Sequence, residues 1–416
     1  MAGRRIFYGW RIVAAGFGIE ALIGALMFHA YGAYFVVLRQ EFGWSKTMLS
    51  AAFSMARAES GILGPIQGWL TDRFGPRVLI RVGMTIFALG FILFSQINSP
   101  LTFFLTFFLM AVGSSLGGYL PVGVAIVAWF RRRRALALSL SGTGMPVGGL
   151  LTQLVALAMT SIGWRWTAFA SGIVVLLVGL PIARVVRHRP EPYGYEPDGD
   201  PPAHERRPTE GSDGPAARHT SADFTARQAL RTPAFWYISL GHGSALLVVS
   251  AVMVHLVVHI TESLGYSLRQ ATAVVALMTV MQVIGQVGGG WTGDRFSKRA
   301  MVVGCMAAHA TGLALLASAT TLGTVVAFAI LHGLAWGVRG PLMSAIRADY
   351  FGSRAFGTIT GLSSMILMFG MMGGPLIAGI LADHTGSYEL GFRILAALAA
   401  TGSIFFALAR PPAPPR

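Results

Sequence analysis

Long runs of apolar residues, each followed by a short polar or turn-forming segment, recur along this chain from end to end. Most runs reach the length of about 20 residues that a helix needs to cross the hydrocarbon core of a bilayer. The pattern therefore predicts an all-α polytopic membrane protein. The twelve predicted spans cover residues 11–38, 46–71, 77–97, 100–129, 134–160, 165–187, 233–262, 267–292, 300–319, 322–350, 355–383 and 389–409.

One long segment breaks this pattern between the sixth and seventh spans. Residues 189–231 are rich in proline, glycine and charge and poor in apolar side chains. Such a segment cannot bury enough surface to fold alone. We predict that it is a cytoplasmic linker between an N-terminal six-helix bundle, residues 1–188, and a C-terminal six-helix bundle, residues 232–416.

The composition supports a membrane protein and gives its orientation. Hydrophobic residues make up 54% of the chain and charged residues 12%, whereas a soluble domain is nearer a quarter charged. The net charge of +15 comes from basic residues in short segments between spans, such as Arg131 to Arg134. That arrangement indicates membrane topology rather than nucleic-acid binding. We expect a multi-pass protein of the cell membrane, a bacterial inner membrane, with both termini cytoplasmic.

The two halves carry matching motifs. "GWLTDRFGPR" begins at Gly68 after the second span, and "GWTGDRFSKR" begins at Gly290 after the eighth. A parallel repeat of this kind predicts a pseudo-twofold axis along the membrane normal and a substrate site at the midplane between the halves.

The motif Gly-x-x-x-Asp-Arg-x-Gly-x-Arg resembles the signature of the major facilitator superfamily. The segments "YGWRIVAAGF", "EFGWSKTMLSAAFS", "AWFRRRRALALSLSGTGMPVGG" and "YFGSRAFGTITG" are similar to its monocarboxylate transporter and oxalate/formate antiporter branch. The resemblance implies two pseudo-symmetric six-helix bundles and alternating access for a small organic anion, a monocarboxylate or related carboxylate. It also implies a conformational latch, made of Asp72, Arg73, Arg77, Asp294 and Arg295.

Arginines inside the predicted spans are candidates for substrate binding, because ionisable groups at membrane depth are costly. Arg339 lies about 18 Å from the nearer end of its span, and its planar donor fork suits a carboxylate. A buried pair with Glu20 or Glu59 is the structural alternative. Arg57, about 21 Å from Asp72 along its helix, either binds substrate or pairs with another span.

The resemblance also implies a role for a histidine on the first span. His29 stands where the animal monocarboxylate transporters carry a lysine linked to substrate and proton binding, although it could instead hydrogen-bond a neighbouring helix. Glu20 is a second candidate proton site. His255 shares a helix face with His259 and is a substrate or proton candidate. Their spacing could hold a metal, but with no third ligand nearby we expect no metal site.

The eighth span departs from the branch. Its members carry an arginine there as the carboxylate anchor, four residues before the glycine of the second motif, where this chain has Gln286. Gln282 lies one turn earlier. Both side-chain amides are candidate substrate contacts that can donate hydrogen bonds but supply no charge. Either Arg339 or Arg57 replaces the anchor, or the substrate is not a simple monocarboxylate. Tyr119 matches Arg339 in the repeat and is a further cavity candidate or an interface aromatic.

Two other functions stay open. An exporter of drug-like amphiphiles would share the fold, and a sensor that no longer transports would keep it. An enzyme is not expected, because the sequence shows no nucleophile-and-base set, phosphate loop or metal-ligand cluster. We expect a monomer with a small organic anion and the lipid bilayer as partners, no nucleic acid, and no cofactor beyond a coupling proton, which would make anion transport electroneutral.

Overall fold

The computed structural model describes residues 7–200 and 223–415, so residues 201–222 of the predicted linker lie outside it. Within the described residues the chain forms twelve long helices and no strand. They are α1 Gly9–Phe42, α2 Lys46–Phe74, α3 Pro76–Phe94, α4 Pro100–Trp129, α5 Arg134–Ile162, α6 Trp164–Val185, α7 Pro233–Ser263, α8 Leu268–Gly293, α9 Lys298–Ala317, α10 Leu322–Phe351, α11 Phe356–Thr385 and α12 Glu389–Leu408.

Eleven of these helices are long and apolar enough to cross a membrane, whereas α2 falls short of them in hydropathy. With 29 residues α2 is long enough for a crossing. Its polarity comes from residues such as Arg57, Glu59, Gln67 and Asp72. The all-α polytopic fold predicted from the sequence is confirmed.

Matching side chains start matching helices in the two halves. Ser45 and Ser267 accept a backbone hydrogen bond in the first turns of α2 and α8, and Ser99 and Thr321 do the same for α4 and α10. Such caps satisfy N–H groups that have no partner within the helix. These caps therefore follow the repeat that the motifs indicate.

The halves meet where α2 packs on α11 and α5 packs on α8. We call the ends of the helices beside residues 186–200 the linker side, and the opposite ends the far side. A Cβ atom on Gly68 would lie 2.1 Å from the carbonyl oxygen of Gly357, and one on Gly290 would lie 2.4 Å from the Cβ of Ser139. Because no side chain fits at either glycine, the helices of the two halves approach each other closely on the linker side.

Candidate functional site

A cavity of about 270 Å³ lies between the two halves. Along their helices, Glu20 and Gln67 lie roughly 10–16 Å from the linker-side ends, so the cavity is near the middle of the bundle. Polar residues from both halves line it. From the first half these are Glu20, Ser60, Gln67, Ser114, Ser115 and Tyr119, and from the second half His242, Ser344, Arg347, Thr360 and Ser364.

Among the residues that the structure describes, Arg347 on α10 is the only arginine or lysine that lines this cavity. It is 3% exposed, and its Nη2 donates to Nδ1 of His242 at 3.1 Å and to Oγ of Ser363 at 2.8 Å. A guanidinium can only donate, so His242 accepts at Nδ1 and carries its proton on Nε2. Among the described residues Arg347 has no carboxylate partner. A buried cation with neutral partners leaves room for an anion.

The wall formed by the first half carries one acidic residue, and a second lies behind it. Glu20 on α1 is 3% exposed, and its Oε1 is buried without a hydrogen-bond partner. Behind the wall, Oε1 of Glu59 accepts from Nε2 of Gln67 at 2.7 Å and from Oγ of Ser115 at 3.1 Å. All these donors are neutral. The cavity is therefore acidic on the first half and cationic on the second.

Two further sets of hydrogen bonds join the halves, and the first lies on the cavity wall. The hydroxyl of Tyr119 lies 2.8 Å from Oγ of Ser344, directly after α4 is interrupted at Gly118. Nε2 of Gln286 donates to the backbone oxygen of Ser139 at 3.3 Å, and Oγ of Ser139 donates to the backbone oxygen of Gln286. Gln286 thus joins α8 to α5 and does not line the cavity.

The two predicted substrate arginines take different places. Arg339 is 1% exposed and does not line the cavity, and its Nε and Nη1 are buried without partners. It therefore forms no pair with Glu20 or Glu59. The guanidinium of Arg57 lies 4.7 Å from the ring centre of Phe28, which lines the cavity, and packs on a second phenylalanine ring. Arg57 is thus held by aromatic rings beside the cavity.

The predicted histidines and Gln282 lie outside the cavity. His29 is exposed, and its ring packs against Gly149 on α5. Nε2 of His255 lies 3.0 Å from the carbonyl oxygen of Pro375, which ties α7 to α11. Gln282 is half-buried on α8. No group of three metal-ligating side chains occurs among the described residues.

Sequence reasoning therefore brought Glu20 and Tyr119 to the cavity but missed Arg347 as a site residue. Arg347 is close to the linker-side end of α10, where an arginine ordinarily extends its head towards the membrane surface. A side chain on a helix leans towards the N-terminal end, which for α10 is the far side. The lean of the Arg347 side chain carries its guanidinium towards the cavity. This lean could have been predicted from the sequence.

The two aspartates of the repeated motif each cap a helix of the opposite half. Asp72 accepts from the backbone N–H of Gly357 at 2.9 Å and of Thr358 at 2.7 Å, at the start of α11. Asp294 accepts from Ala135 at 2.8 Å and from Leu136 at 3.0 Å, at the start of α5. Carboxylates are favoured at helix N-termini. Burial raises the pKa of Asp294 above its usual value, and the two N–H bonds oppose that shift.

The motif arginines have other partners. Arg73 is exposed, Nη2 of Arg77 donates to a backbone oxygen of its own half at 2.6 Å, and Arg295 stacks on Trp291. A separate ion pair joins the halves, between Arg134 of α5 and Asp349 of α10 at 2.6 Å. The linker-side closure thus combines two helix caps with a partly buried ion pair.

Known proteins resemble this chain over most of its length. Monocarboxylate transporter 13 of Rattus norvegicus is 24% identical, covering 95% of this chain and 87% of the relative. The MFS transporter asaE of Aspergillus flavus is 26% identical, covering 75% of this chain and 65% of the relative. The glycerol-3-phosphate transporter of Bacillus subtilis is 25% identical, covering 67% and 66%. The matches thus span slightly less than two thirds of the last two relatives.

Solved structures share the fold. The Escherichia coli fucose:proton symporter FucP has a TM-score of 0.70 at 15% identity, covering 96% of this chain and 98% of that one. The proton:xylose symporter XylE has a TM-score of 0.73 at 15% identity, covering 97% and 96%. The family model described as Major Facilitator Superfamily matches residues 17–258 and 238–416. The resemblance read from the two Asp-Arg motifs is therefore confirmed, and the chain belongs to the major facilitator superfamily of membrane transporters.

Proposed function

We propose that this transporter moves a small organic carboxylate by alternating access, with Arg347 as the carboxylate anchor. The supporting observation is the position of Arg347 in the cavity, buried and bonded only to neutral groups. A buried cation without a counter-charge costs several kcal/mol, and a bound anion would remove much of that cost. A guanidinium also suits the planar geometry of a carboxylate.

Glu20 is the proposed proton carrier. It lines the same cavity, and its unpartnered Oε1 is free to take a proton or a substrate donor. His29 remains a second candidate for the proton carrier, although its ring packs against Gly149 outside the cavity. Taking up one proton with one anion keeps transport electroneutral, so an inside-negative potential does not oppose uptake.

The aspartate caps are the proposed latch for one state of the cycle. Asp72 and Asp294 join the halves on the linker side, which we place in the cytoplasm because Arg131 to Arg134 lie there. The structure would then be an outward-facing state, closed on the cytoplasmic side. The cytoplasmic side would open when both caps release. We place the chain in a cell membrane, a bacterial inner membrane, as a monomer with both termini cytoplasmic.

The test is uptake of labelled short-chain carboxylates by proteoliposomes at external pH 5.5 and 7.5. We expect faster uptake at pH 5.5, loss of uptake in Arg347→Gln, and loss of the pH dependence in Glu20→Gln. Arg354→Gln is the matched control, because that arginine is exposed between α10 and α11. Arg339→Gln tests the anchor predicted from the sequence.

Three outcomes would change the proposal. Normal uptake in Arg347→Gln with loss in Arg339→Gln would move the anchor to Arg339. Uptake of none of the carboxylates at either pH would refute the proposed substrate class. Extrusion of an amphiphilic dye instead would favour the exporter. One relative, the fujikurins efflux protein of Gibberella fujikuroi, is named for efflux.

A further inference from the structure

The cavity has more neutral hydrogen-bonding groups than a simple monocarboxylate can use. Apart from Arg347 and His242, its polar lining consists of hydroxyl and amide side chains and the Glu20 carboxyl. We propose that the substrate is a polyhydroxylated monocarboxylate, a sugar acid. This inference rests on the proposed function and adds the chemistry of the rest of the substrate.

Unsatisfied polar atoms support the hydroxyl-binding role. Oε1 of Glu20 and Oγ1 of Thr360 are both buried without a hydrogen-bond partner, and they lie on opposite halves of the cavity. Water can satisfy such atoms while a cavity is open. Closure of a transport site expels water, so the substrate must then supply the missing hydrogen bonds. An alkyl chain would leave these atoms unpaired, whereas substrate hydroxyls would pair with them.

Side chains already bonded to protein atoms can accept further hydrogen bonds. Oγ of Ser114 donates to a backbone oxygen of its own helix, and Oγ of Ser364 does the same. Each such hydroxyl has used its only proton and keeps lone pairs as acceptors. These groups therefore select a ligand rich in donors, which a polyol is and a hydrocarbon is not.

The charge balance favours a carboxylate over a phosphate ester. Arg347 is the only arginine or lysine on the cavity wall in the described part of the chain, and one of its nitrogens is already bonded to His242 and Ser363. A phosphate monoester carries about 1.5–2 negative charges at pH 7. A second negative charge would have no second guanidinium on the described cavity wall, where Glu20 also lies. A monoanion matches the single guanidinium.

The size of the cavity agrees with a small polar solute. Ligand pockets typically span about 300–1,000 Å³. At about 270 Å³ this cavity is slightly below that range. A six-carbon acid is a suitable probe, because it is a small solute that can carry one carboxylate and several hydroxyl groups. Tyr119 lines the same cavity, and its hydroxyl lies 2.8 Å from Oγ of Ser344 on the other half.

The experiment compares four probes on the purified full-length protein by isothermal titration calorimetry. Gluconate and hexanoate have the same carbon count and the same carboxylate but differ in hydroxyls, sorbitol lacks the charge, and glycerol 3-phosphate tests a phosphate anion. We expect gluconate to bind at least about tenfold more tightly than hexanoate, and sorbitol and glycerol 3-phosphate more weakly still. Arg347→Gln should abolish gluconate binding.

Thr360→Val removes one unsatisfied hydroxyl with little change of shape. It should lower the preference for gluconate over hexanoate by at least about threefold. Thr85→Val is the matched control, because Thr85 is exposed on α3 away from the cavity, and it should leave the preference unchanged. Size-exclusion profiles identify any variant that misfolds, and Thr360→Ser, which keeps the hydroxyl, should retain the preference.

The outcomes separate this inference from the proposed function. Hexanoate binding as tightly as gluconate, with loss in Arg347→Gln, would overturn the sugar acid and keep the carboxylate. Sorbitol binding as tightly as gluconate, or no effect of Arg347→Gln, would overturn both. Tighter binding of glycerol 3-phosphate than of either acid would replace the carboxylate by a phosphate.

Discussion

Removing the aspartate caps should open the linker side. Asp72 and Asp294 each accept two backbone N–H bonds from the opposite half. Replacing an N-cap aspartate by alanine costs about 0.5–2 kcal/mol, whereas asparagine is a comparable cap. Asp72→Ala should therefore shift the equilibrium away from the present state by roughly 2- to 30-fold. Asp72→Asn should shift it less, because the cap remains and only the charge is lost.

The two caps lie on different helix pairs and should act additively. The double alanine variant should lose about 1–4 kcal/mol of the free energy that favours this state. Spin labels can report the change as a distance distribution. Gln40 and Arg269 are exposed at the far ends of α1 and α8, in opposite halves, and suit cysteine substitution in a Cys305→Ser background. We expect a shorter far-side distance in the double variant, measured by pulsed electron paramagnetic resonance.

Asp223 provides a matched control. Its Oδ1 also accepts two backbone N–H bonds, from Ser353 at 3.1 Å and from Arg354 at 3.2 Å. All three residues belong to the linker end and the C-terminal half, so Asp223→Ala removes two backbone hydrogen bonds to the loop before α11 without removing a hydrogen bond between the halves. It should leave the far-side distance unchanged. Equal shifts in Asp223→Ala and Asp72→Ala, or no shift in the double variant, would refute the latch.

Three further predictions concern single side chains. Gly68→Ala should weaken linker-side closure, because its Cβ would lie 2.1 Å from a backbone oxygen of α11, and the same spin-label pair would show a shorter far-side distance. Arg134→Gln should weaken closure by about 1 kcal/mol, because Asp349 loses its ion pair across the halves but keeps Lys298 at 2.9 Å, and cysteine accessibility on the linker side should rise. His255→Phe should lower thermal stability by about 1 kcal/mol through the lost bond to Pro375 and leave substrate affinity unchanged, which thermal unfolding and calorimetry would check together.

The fold could be predicted from the sequence, because each membrane-crossing helix must have a minimum length and a high hydropathy. The apolar runs located the helices, and the repeated motif correctly indicated the family of two related six-helix bundles. α2 shows where hydropathy alone falls short, since it is the helix that does not reach the hydropathy of the others. Its apolar run and its place in the repeat predicted it, and the structure gives it 29 residues and a cap at Ser45.

The site was harder to predict because the direction of a side chain depends on how the helices are rotated. Arg339 and Arg347 lie on the same helix, but only Arg347 lines the cavity. Depth along the chain favoured Arg339, and nothing in a single sequence showed which face of α10 the cavity occupies. Gln286 was a candidate substrate contact because the branch that the sequence resembles carries an arginine there, and in the structure its amide bonds Ser139 between α8 and α5.

The paired caps have a consequence for how the molecule is put together. The end of α2 caps the start of α11, and the end of α8 caps the start of α5, so each bundle completes a helix that belongs to the other. During synthesis the start of α5 has no aspartate from its partner until α8 has been made. The exchange is the one expected of an isologous interface, in which two copies of a subunit contact each other through the same patch. One chain thus reproduces within itself the interface geometry of a twofold dimer of six-helix units.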